Sequence, residues 1–149
     1  MTRMEKSIEI KASPEKVWEM LALDRFQEWL DECKSVEYTS KVRTPEDKYR
    51  VGASAHVTEK HGKYDLEIME SLENEKITAR SKGMGEGRVT ITVTYILRPV
   101  AQGTKLTYAM DYEMPGGILG KGLDKLFGAK HAEKGIEKSL DKLKNILEK

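Results

Sequence analysis

Residues 115–149 read PGGILGKGLDKLFGAKHAEKGIEKSLDKLKNILEK, and this stretch predicts one long amphipathic helix. Its large apolar side chains recur at three- and four-residue spacing, which is the period of one helical face. They are Leu119, Leu123, Leu126, Phe127, Ile136, Leu140, Leu143 and Leu147. A helix of roughly thirty residues is about 45 Å long. A stripe of that length needs a broad apolar partner, and the preceding chain offers a sheet.

The stretch Lys34–Glu113 has the period of two that is typical of half-buried strands. Turn signals at Glu73–Glu75, Gly83–Gly87 and Gln102–Gly103 divide it into about six strands. A further strand, Ser7–Ala12, is predicted near the N-terminus by strict alternation of polar and apolar residues. Because the turns are short, neighbouring strands should pair antiparallel, with one face on the helix.

Two short helices are predicted between the first strand and the others. Ser13 is a suitable N-cap for a helix Pro14–Leu21, in which the proline occupies the first turn. Asp24 and Gln27, spaced as in a capping box, predict a second helix, Arg25–Leu30. The predicted fold is therefore α+β, in the order β-α-α-β6-α.

Length and charge limit the class of protein. The chain has 149 residues, enough to bury a core, and residues 1–149 are predicted to form one domain. Its 26 basic and 25 acidic residues give a net charge of +1 at pH 7. No overall field therefore favours nucleic acid, and none is expected as a partner.

Cysteine content and hydropathy bear on location. Cys33 is the single cysteine, which excludes an intramolecular disulfide and fits a reducing compartment. The N-terminal residues lack the apolar run of a signal peptide, and no later segment approaches eighteen apolar residues. We therefore expect a cytoplasmic protein without stable membrane insertion.

Three motifs, in this order and spacing, resemble one known family. They are IEIKASPEKVWEML at residues 8–21, FQEW at 26–29 and YEMPGGILG at 112–120. Together they look like the START/Bet v1-like superfamily, also called SRPBCC, in its polyketide cyclase/dehydrase-like branch. The resemblance covers essentially the whole chain. It implies a helix-grip fold, in which a curved sheet and the C-terminal helix enclose an apolar cavity, and it implies no universal catalytic motif.

The six tyrosines share strand parity with apolar neighbours, so we expect them to face the concave side of the sheet. A purely structural core would tend to use Phe, whereas buried phenol hydroxyls suit a cavity that holds an amphipathic ligand. Some of the tyrosines could instead lie at the sheet rim. The predicted cavity residues are Trp29, Tyr38, Tyr64, Leu66, Ile91, Tyr95, Tyr108, Tyr112, Leu119, Leu123 and Phe127.

Few ionisable residues have the inward parity, and no catalytic residue is identified. Glu59, His61 and Glu70 are weak candidates, because a buried Glu beside a His can exchange a proton near neutral pH. The simpler interpretation is that Glu59 and His61 belong to a solvated hairpin turn. His56 and His61 lie on opposite faces of a strand, so no metal site is predicted.

Two glycine clusters do not support a nucleotide site, and no cofactor is expected. Gly120-Lys121 is followed by Gly122, where a phosphate-binding loop needs Ser or Thr. Gly83–Gly87 lies between strands, with no helix N-terminus to receive a pyrophosphate.

We therefore expect a monomer that binds a small apolar or amphipathic molecule for transport, storage or sensing. The alternatives are a cyclase/dehydratase-type enzyme acting on a polyketide-like substrate and a co-chaperone-like protein-binding module. The third requires an exposed apolar patch, which the outward residues Thr90, Thr92 and Thr94 do not supply.

Overall fold

The computed structural model describes residues 2–60, 62–84, 89–113 and 129–149, with side chains described at 3–60, 62–81, 90–111 and 133–149. Strand β1 (Thr2–Ile10) is followed by helix α1 (Pro14–Glu19). As predicted, the helix starts at Ser13, whose hydroxyl accepts a hydrogen bond from the Lys16 amide at 3.3 Å. The predicted end at Leu21 is two residues too long, because the chain leaves the helix at the Met20 cap.

The second helix differs from the prediction. A 3-10 turn (Leu23–Arg25) precedes a single α-helical turn, α2 (Phe26–Trp29), and no side chain caps it. The Asp24 carboxylate is engaged elsewhere: it accepts hydrogen bonds from the Lys48 ammonium at 2.9 Å and the Tyr38 hydroxyl at 3.4 Å. The capping box predicted from Asp24 and Gln27 is therefore wrong.

Among the described residues, seven strands form one antiparallel sheet in the order β1-β7-β6-β5-β4-β3-β2. Those after α2 are β2 (Cys33–Tyr38), β3 (Ser54–Glu59), β4 (Gly62–Leu72), β5 (Lys76–Met84), β6 (Val89–Val100) and β7 (Gly103–Glu113). Each of them pairs with its neighbour in sequence, as the short turns predicted. Strand β1 closes the order by pairing with β7. The order and the antiparallel pairing confirm the predicted helix-grip α+β fold.

The predicted alternation of Tyr49, Val51, Ala53, Ala55 and Val57 forms a strand only from Ser54 onward. Pro45–Lys48 forms a 3-10 turn, and the chain turns again at Gly52, where φ is 94°. Parity therefore fails over this segment: Val51 is 64% exposed, and Tyr49 stacks on Trp18 with ring centroids 5.2 Å apart. The expectation that Tyr49 faces the concave side is wrong for this reason.

A bulge in β4 overturns another expectation based on parity. The register with β5 shifts between Ile68 and Glu70, so the extra residue reverses the alternation. Met69 and Glu70 are both exposed, and the Glu70 carboxylate pairs with the Lys76 ammonium at 3.3 Å on the solvent side. The inward orientation predicted for Glu70 is therefore wrong.

The C-terminal helix α3 (Ala129–Leu147) covers the concave face. Ile136, Leu140 and Leu143 are buried in one core cluster with residues of the sheet and of the two short helices. The Lys6 ammonium of β1 pairs with the carboxylates of Glu133 and Glu137, at 2.9 and 3.4 Å, and so ties α3 to the edge of the sheet. The first part of the predicted helix, residues 115–128, lies outside the described residues.

Among the helices within the described ranges, none is both long enough and apolar enough to cross a bilayer.

Candidate functional site

A cavity of about 270 Å³ lies between α3, the α2–β2 connection and the concave face of strands β3 to β7. Its apolar walls come from Phe26, Leu30, Leu66, Ile91, Val93, Met110 and Ile136. Its polar lining comes from Asp31, Glu32, Cys33, Glu59, Tyr64, Ser81, Tyr95, Tyr108 and Ser139, and Gly135 completes the helix side. The tyrosine rings and the carbon atoms of the other polar side chains add to these walls, so the exposed lining is mostly apolar by area, as in small-molecule pockets generally.

The inner end of the cavity is formed by a pair of tyrosines. Tyr95 of β6 and Tyr108 of β7 are directly opposite in the strand register, and their rings meet edge to face with centroids 4.7 Å apart. The next inward pair, Leu97 and Leu106, is buried in the core and does not line the cavity. The two rings therefore separate the cavity from the solid core.

Trp29 lies behind this pair. Its ring is fully buried, with centroids 5.6 Å from Tyr95 and 6.4 Å from Tyr108, and its indole N–H donates to the Met20 carbonyl at 2.8 Å. Trp29 therefore supports the tyrosine pair from the core side, and the structure does not place it among the cavity-lining residues.

The phenols of the cavity stay protonated over the physiological range. Burial raises the pKa of Tyr108 to about 12. It raises the pKa of Tyr64 further, with smaller contributions from Glu59, Tyr108 and Cys33. Burial also raises the pKa of Tyr95 well above its usual value, followed by the effect of Tyr108. These side chains therefore present neutral hydroxyls, able to donate a hydrogen bond.

The other end of the cavity carries acidic groups. Asp31, Glu32 and Cys33 come from the α2–β2 connection and the start of β2, and Glu59 is paired with Cys33 across the β2–β3 ladder. Burial, and secondarily the Glu59 carboxylate, raises the pKa of the Cys33 thiol to about 11. The thiol is therefore protonated at neutral pH, and it is a weak nucleophile.

The helix side of this end is held by hydrogen bonds. The Asp31 amide donates to the Ser139 hydroxyl at 2.8 Å, and that hydroxyl donates to the Gly135 carbonyl at 2.7 Å. Glu32 has φ of 65°, and its carbonyl accepts from the Lys60 amide at 3.0 Å. These bonds connect the α2–β2 connection to both α3 and the β3 end.

The structure places the sequence-predicted residues in three groups. Five of the predicted residues line the cavity: Tyr64, Leu66, Ile91, Tyr95 and Tyr108. The side chains of Tyr112, Leu119, Leu123 and Phe127, and all of His61, lie outside the described part of the chain. Glu59 lines the cavity and Glu70 does not.

Tyr38 is a correction to the predicted cavity. It is the last residue of the edge strand β2, and its hydroxyl bonds with the Asp24 carboxylate and backbone amide, each at 3.4 Å. That contact draws the side chain to the 3-10 turn before α2, away from the cavity lining.

The sequence pattern did not predict several of the residues that line the cavity. Asp31, Glu32 and Cys33 come from a connection that has no periodic pattern, so parity could not assign them a direction. Gly135 carried a usable signal, because a glycine inside a helix is unfavourable and calls for a reason. Within the described ranges, no three His, Cys, Asp or Glu side chains converge as ligands for a metal.

Comparison with known proteins places the fold. The family described as polyketide cyclase/dehydrase and lipid transport matches residues 1–148. A START superfamily protein from Mycobacterium smegmatis is 17% identical, with a TM-score of 0.74, covering 97% of this chain and 98% of the other. A protein from Mesorhizobium loti is 20% identical, with a TM-score of 0.70, covering 98% and 96%. The Aha1 dimer from Colwellia psychrerythraea is 19% identical, with a TM-score of 0.70, covering 99% and 97%.

No curated protein matches the chain. At these identities the solved structures show similarity of fold alone. The family match is different, because it extends over residues 1–148 and agrees with the observed strand order and helix packing. The chain therefore belongs to the polyketide cyclase/dehydrase and lipid transport family.

Proposed function

We propose that this protein binds a small, mostly apolar molecule in the cavity between α3 and the sheet, and that it transports, stores or senses this molecule. The observation that carries the proposal is a cavity of about 270 Å³ with mostly apolar walls, inside a sheet and helix that are otherwise tightly packed. An apolar cavity reduces the packing contacts between side chains and so costs stability, which a ligand bound in it can offset.

The size of the cavity limits the ligand. An engineered protein cavity of about 150 Å³ binds benzene, so 270 Å³ provides room for a molecule of one or two rings with a short substituent. A whole phospholipid or a long polyketide would have to extend beyond this volume. Preformed apolar pockets of this kind ordinarily bind such ligands in the micromolar range.

A cyclase/dehydratase-type enzyme acting on a polyketide-like substrate is the second candidate. Glu59 favours it, because a carboxylate that lines the cavity near Tyr64 and Cys33 can accept a proton from a bound substrate. The raised pKa values of the tyrosines argue for the binding function, since phenols held so far above neutral pH are poor proton donors in acid–base catalysis.

A co-chaperone-like protein-binding module is the third candidate. Among the described residues, the exposed large apolar side chains are Val51, Met69 and Leu72, and nothing in the structure indicates what would cover them. The cytoplasmic location and the monomeric state expected from the sequence remain part of the proposal.

Native mass spectrometry of protein purified from its own host tests the proposal. A binding protein should carry a co-purified molecule that is lost on denaturation, and it should release that molecule chemically unchanged. A turnover assay with that same molecule, using wild type and Glu59→Gln, tests the enzyme candidate. If wild type converts the molecule and Glu59→Gln binds it without converting it, the protein is an enzyme and not a carrier.

A further inference from the structure

The hydroxyl of Tyr95 is the most informative polar group in the cavity wall. The residue is 1% exposed, and no described residue offers this hydroxyl a hydrogen-bond partner. A buried hydroxyl without a partner destabilises the fold, so such groups are rare unless a ligand or water satisfies them. Replacing it by Phe would remove this cost without loss of shape, yet the chain has a tyrosine here.

The two serine hydroxyls that line the cavity have partners. The Ser81 hydroxyl donates to the Ile91 carbonyl and accepts from the Ile91 amide, both at 3.3 Å. The Ser139 hydroxyl is held between the Asp31 amide and the Gly135 carbonyl. The polar capacity of the inner end therefore rests on the tyrosines.

Tyr108 lies beside Tyr95, and both residues line the cavity. Each phenol affects the pKa of the other, since Tyr108 raises the pKa of Tyr95 and Tyr95 lowers that of Tyr108, although the Tyr95 hydroxyl forms no hydrogen bond with a described residue. A small side-chain movement on ligand binding would let the Tyr95 hydroxyl donate to the Tyr108 oxygen, and the Tyr108 proton would then be left to donate to the ligand.

We propose that the ligand bears an uncharged hydrogen-bond acceptor, such as a ketone or ester carbonyl, that is bound at the inner end of the cavity by the paired hydroxyls of Tyr108 and Tyr95. This inference rests on the proposed function and names the chemical class of ligand. The apolar body of the ligand then lies along Ile91, Val93 and Met110, toward the end that carries Glu59.

The tyrosine end explains why the acceptor is uncharged. Its hydroxyls are neutral at physiological pH, and none of the described residues that line the cavity is Lys, Arg or His. A carboxylate headgroup would therefore lose its hydration there without gaining a positively charged partner. A neutral carbonyl needs only a donor, and the tyrosine hydroxyls provide one.

Three two-ring probes of similar size test the inference by isothermal titration calorimetry: acetylnaphthalene, ethylnaphthalene and naphthoate. We expect wild type to bind acetylnaphthalene about five- to tenfold tighter than ethylnaphthalene, the effect of one hydrogen bond. The affinity for naphthoate should be at least about tenfold weaker than that for the ketone. In Tyr108→Phe the two affinities for ketone and ethylnaphthalene should become about equal, because the ketone loses its hydrogen bond while ethylnaphthalene binding is retained.

Tyr38→Phe is the matched control, because it removes a phenol hydroxyl outside the cavity and should leave the ketone preference unchanged. Tyr95→Phe should bind the ketone more weakly, and its melting temperature should equal or exceed that of wild type, because it loses a hydroxyl without a partner. A lower melting temperature with an unchanged ketone preference would assign Tyr95 a structural role and overturn the inference.

The outcomes separate the inference from the proposed function. If ethylnaphthalene and acetylnaphthalene bind wild type equally, or if naphthoate binds best, the inference is wrong and the binding function stands. If none of the three probes binds, the proposed function itself fails. If Tyr108→Phe does not fold, Tyr95→Phe carries the test, and an unchanged ketone preference in that variant overturns the inference.

Discussion

Gly135 in the middle of α3 lies beside Asp31 at the cavity, and a Cβ built on the glycine would stand 3.8 Å from the Oδ2 atom of that carboxylate. This is an ordinary van der Waals distance, so no neighbour forbids a side chain at this position. The glycine nevertheless lies inside a helix, where it is unfavourable relative to alanine. We interpret it as a position that keeps space for a ligand.

Gly135→Ala should therefore raise stability and weaken binding together. The helix should gain about 0.5–1 kcal/mol in free energy of unfolding, and the added methyl group should reduce the affinity for a two-ring ligand. Urea unfolding and calorimetric titration of acetylnaphthalene measure the two effects. Lys138→Ala, on the exposed side of α3, is the control and should leave binding unchanged. A more stable Gly135→Ala protein with full affinity would show that the glycine does not serve the cavity.

Strand parity predicted those parts of the site in which the alternation is unbroken. Tyr64 and Leu66 on β4, and Ile91 and Tyr95 on β6, point to the cavity because nothing interrupts the pleat between them. Parity failed where local chemistry changed the backbone. The bulge after Ile68 turned the following residues of β4 outward, and hydrogen bonding to Asp24 drew Tyr38 away from the cavity.

The acidic end of the cavity could not be predicted from the sequence by any periodic rule. Asp31 and Glu32 belong to a connection whose direction depends on the positive φ of Glu32 and on the bond from the Asp31 amide to Ser139. The first feature is uncommon for a residue other than glycine, and the second joins positions far apart in sequence. Neither follows from a local sequence pattern. The overall order of elements was predictable because it depends only on the periods of hydrophobicity and on turn signals.

The β6–β7 turn makes a close contact with β1 that should be intolerant of any side chain. A Cβ on Gly103 would lie 2.0 Å from the Ile10 carbonyl oxygen, a distance that requires the backbone to move. Gly103→Ala should lower the free energy of unfolding by at least about 2 kcal/mol, measured by urea unfolding. Gly62→Ala is a matched control: Gly62 has the same φ of 159°, and nothing lies within 4 Å of its built Cβ. Equal losses in the two variants would show that backbone conformation, and not the contact with Ile10, sets the cost.

The C-terminal helix should contribute directly to the stability of the core. Leu143 is fully buried against the sheet, whereas Leu147, one helical turn later, is only partly buried. Leu143→Ala should lower the free energy of unfolding by about 2–5 kcal/mol, and Leu147→Ala should lower it by less. Both substitutions replace Leu by Ala in the same helix, so the difference reports burial. If Leu143→Ala unfolds at the same urea concentration as wild type, α3 does not form part of the core in solution.

Alkaline pH should destabilise the protein because the cavity groups hold their protons more tightly when it is folded. The pKa of Cys33 rises from 9.0 to about 11 and that of Tyr108 from 10.0 to about 12, both chiefly through burial. Above about pH 9 the unfolded chain therefore binds fewer protons than the folded chain, and stability falls as the pH increases; below about pH 9 these groups contribute no pH dependence.

Urea unfolding between about pH 8 and about pH 12 measures this effect. For Tyr108 alone, the difference in pKa corresponds to roughly 3 kcal/mol lost by about pH 12. Cys33→Ser should delay the onset of the loss to about pH 10, where the tyrosines begin to ionise in the unfolded chain, and Tyr108→Phe should make the decline above that pH less steep. The same burial predicts that affinity for a neutral ketone is constant from about pH 6 to about pH 9, since the hydroxyls that bind it do not ionise there. A ketone affinity that falls tenfold within that range would show that a group with an ordinary pKa, and not the tyrosine pair, holds the ligand.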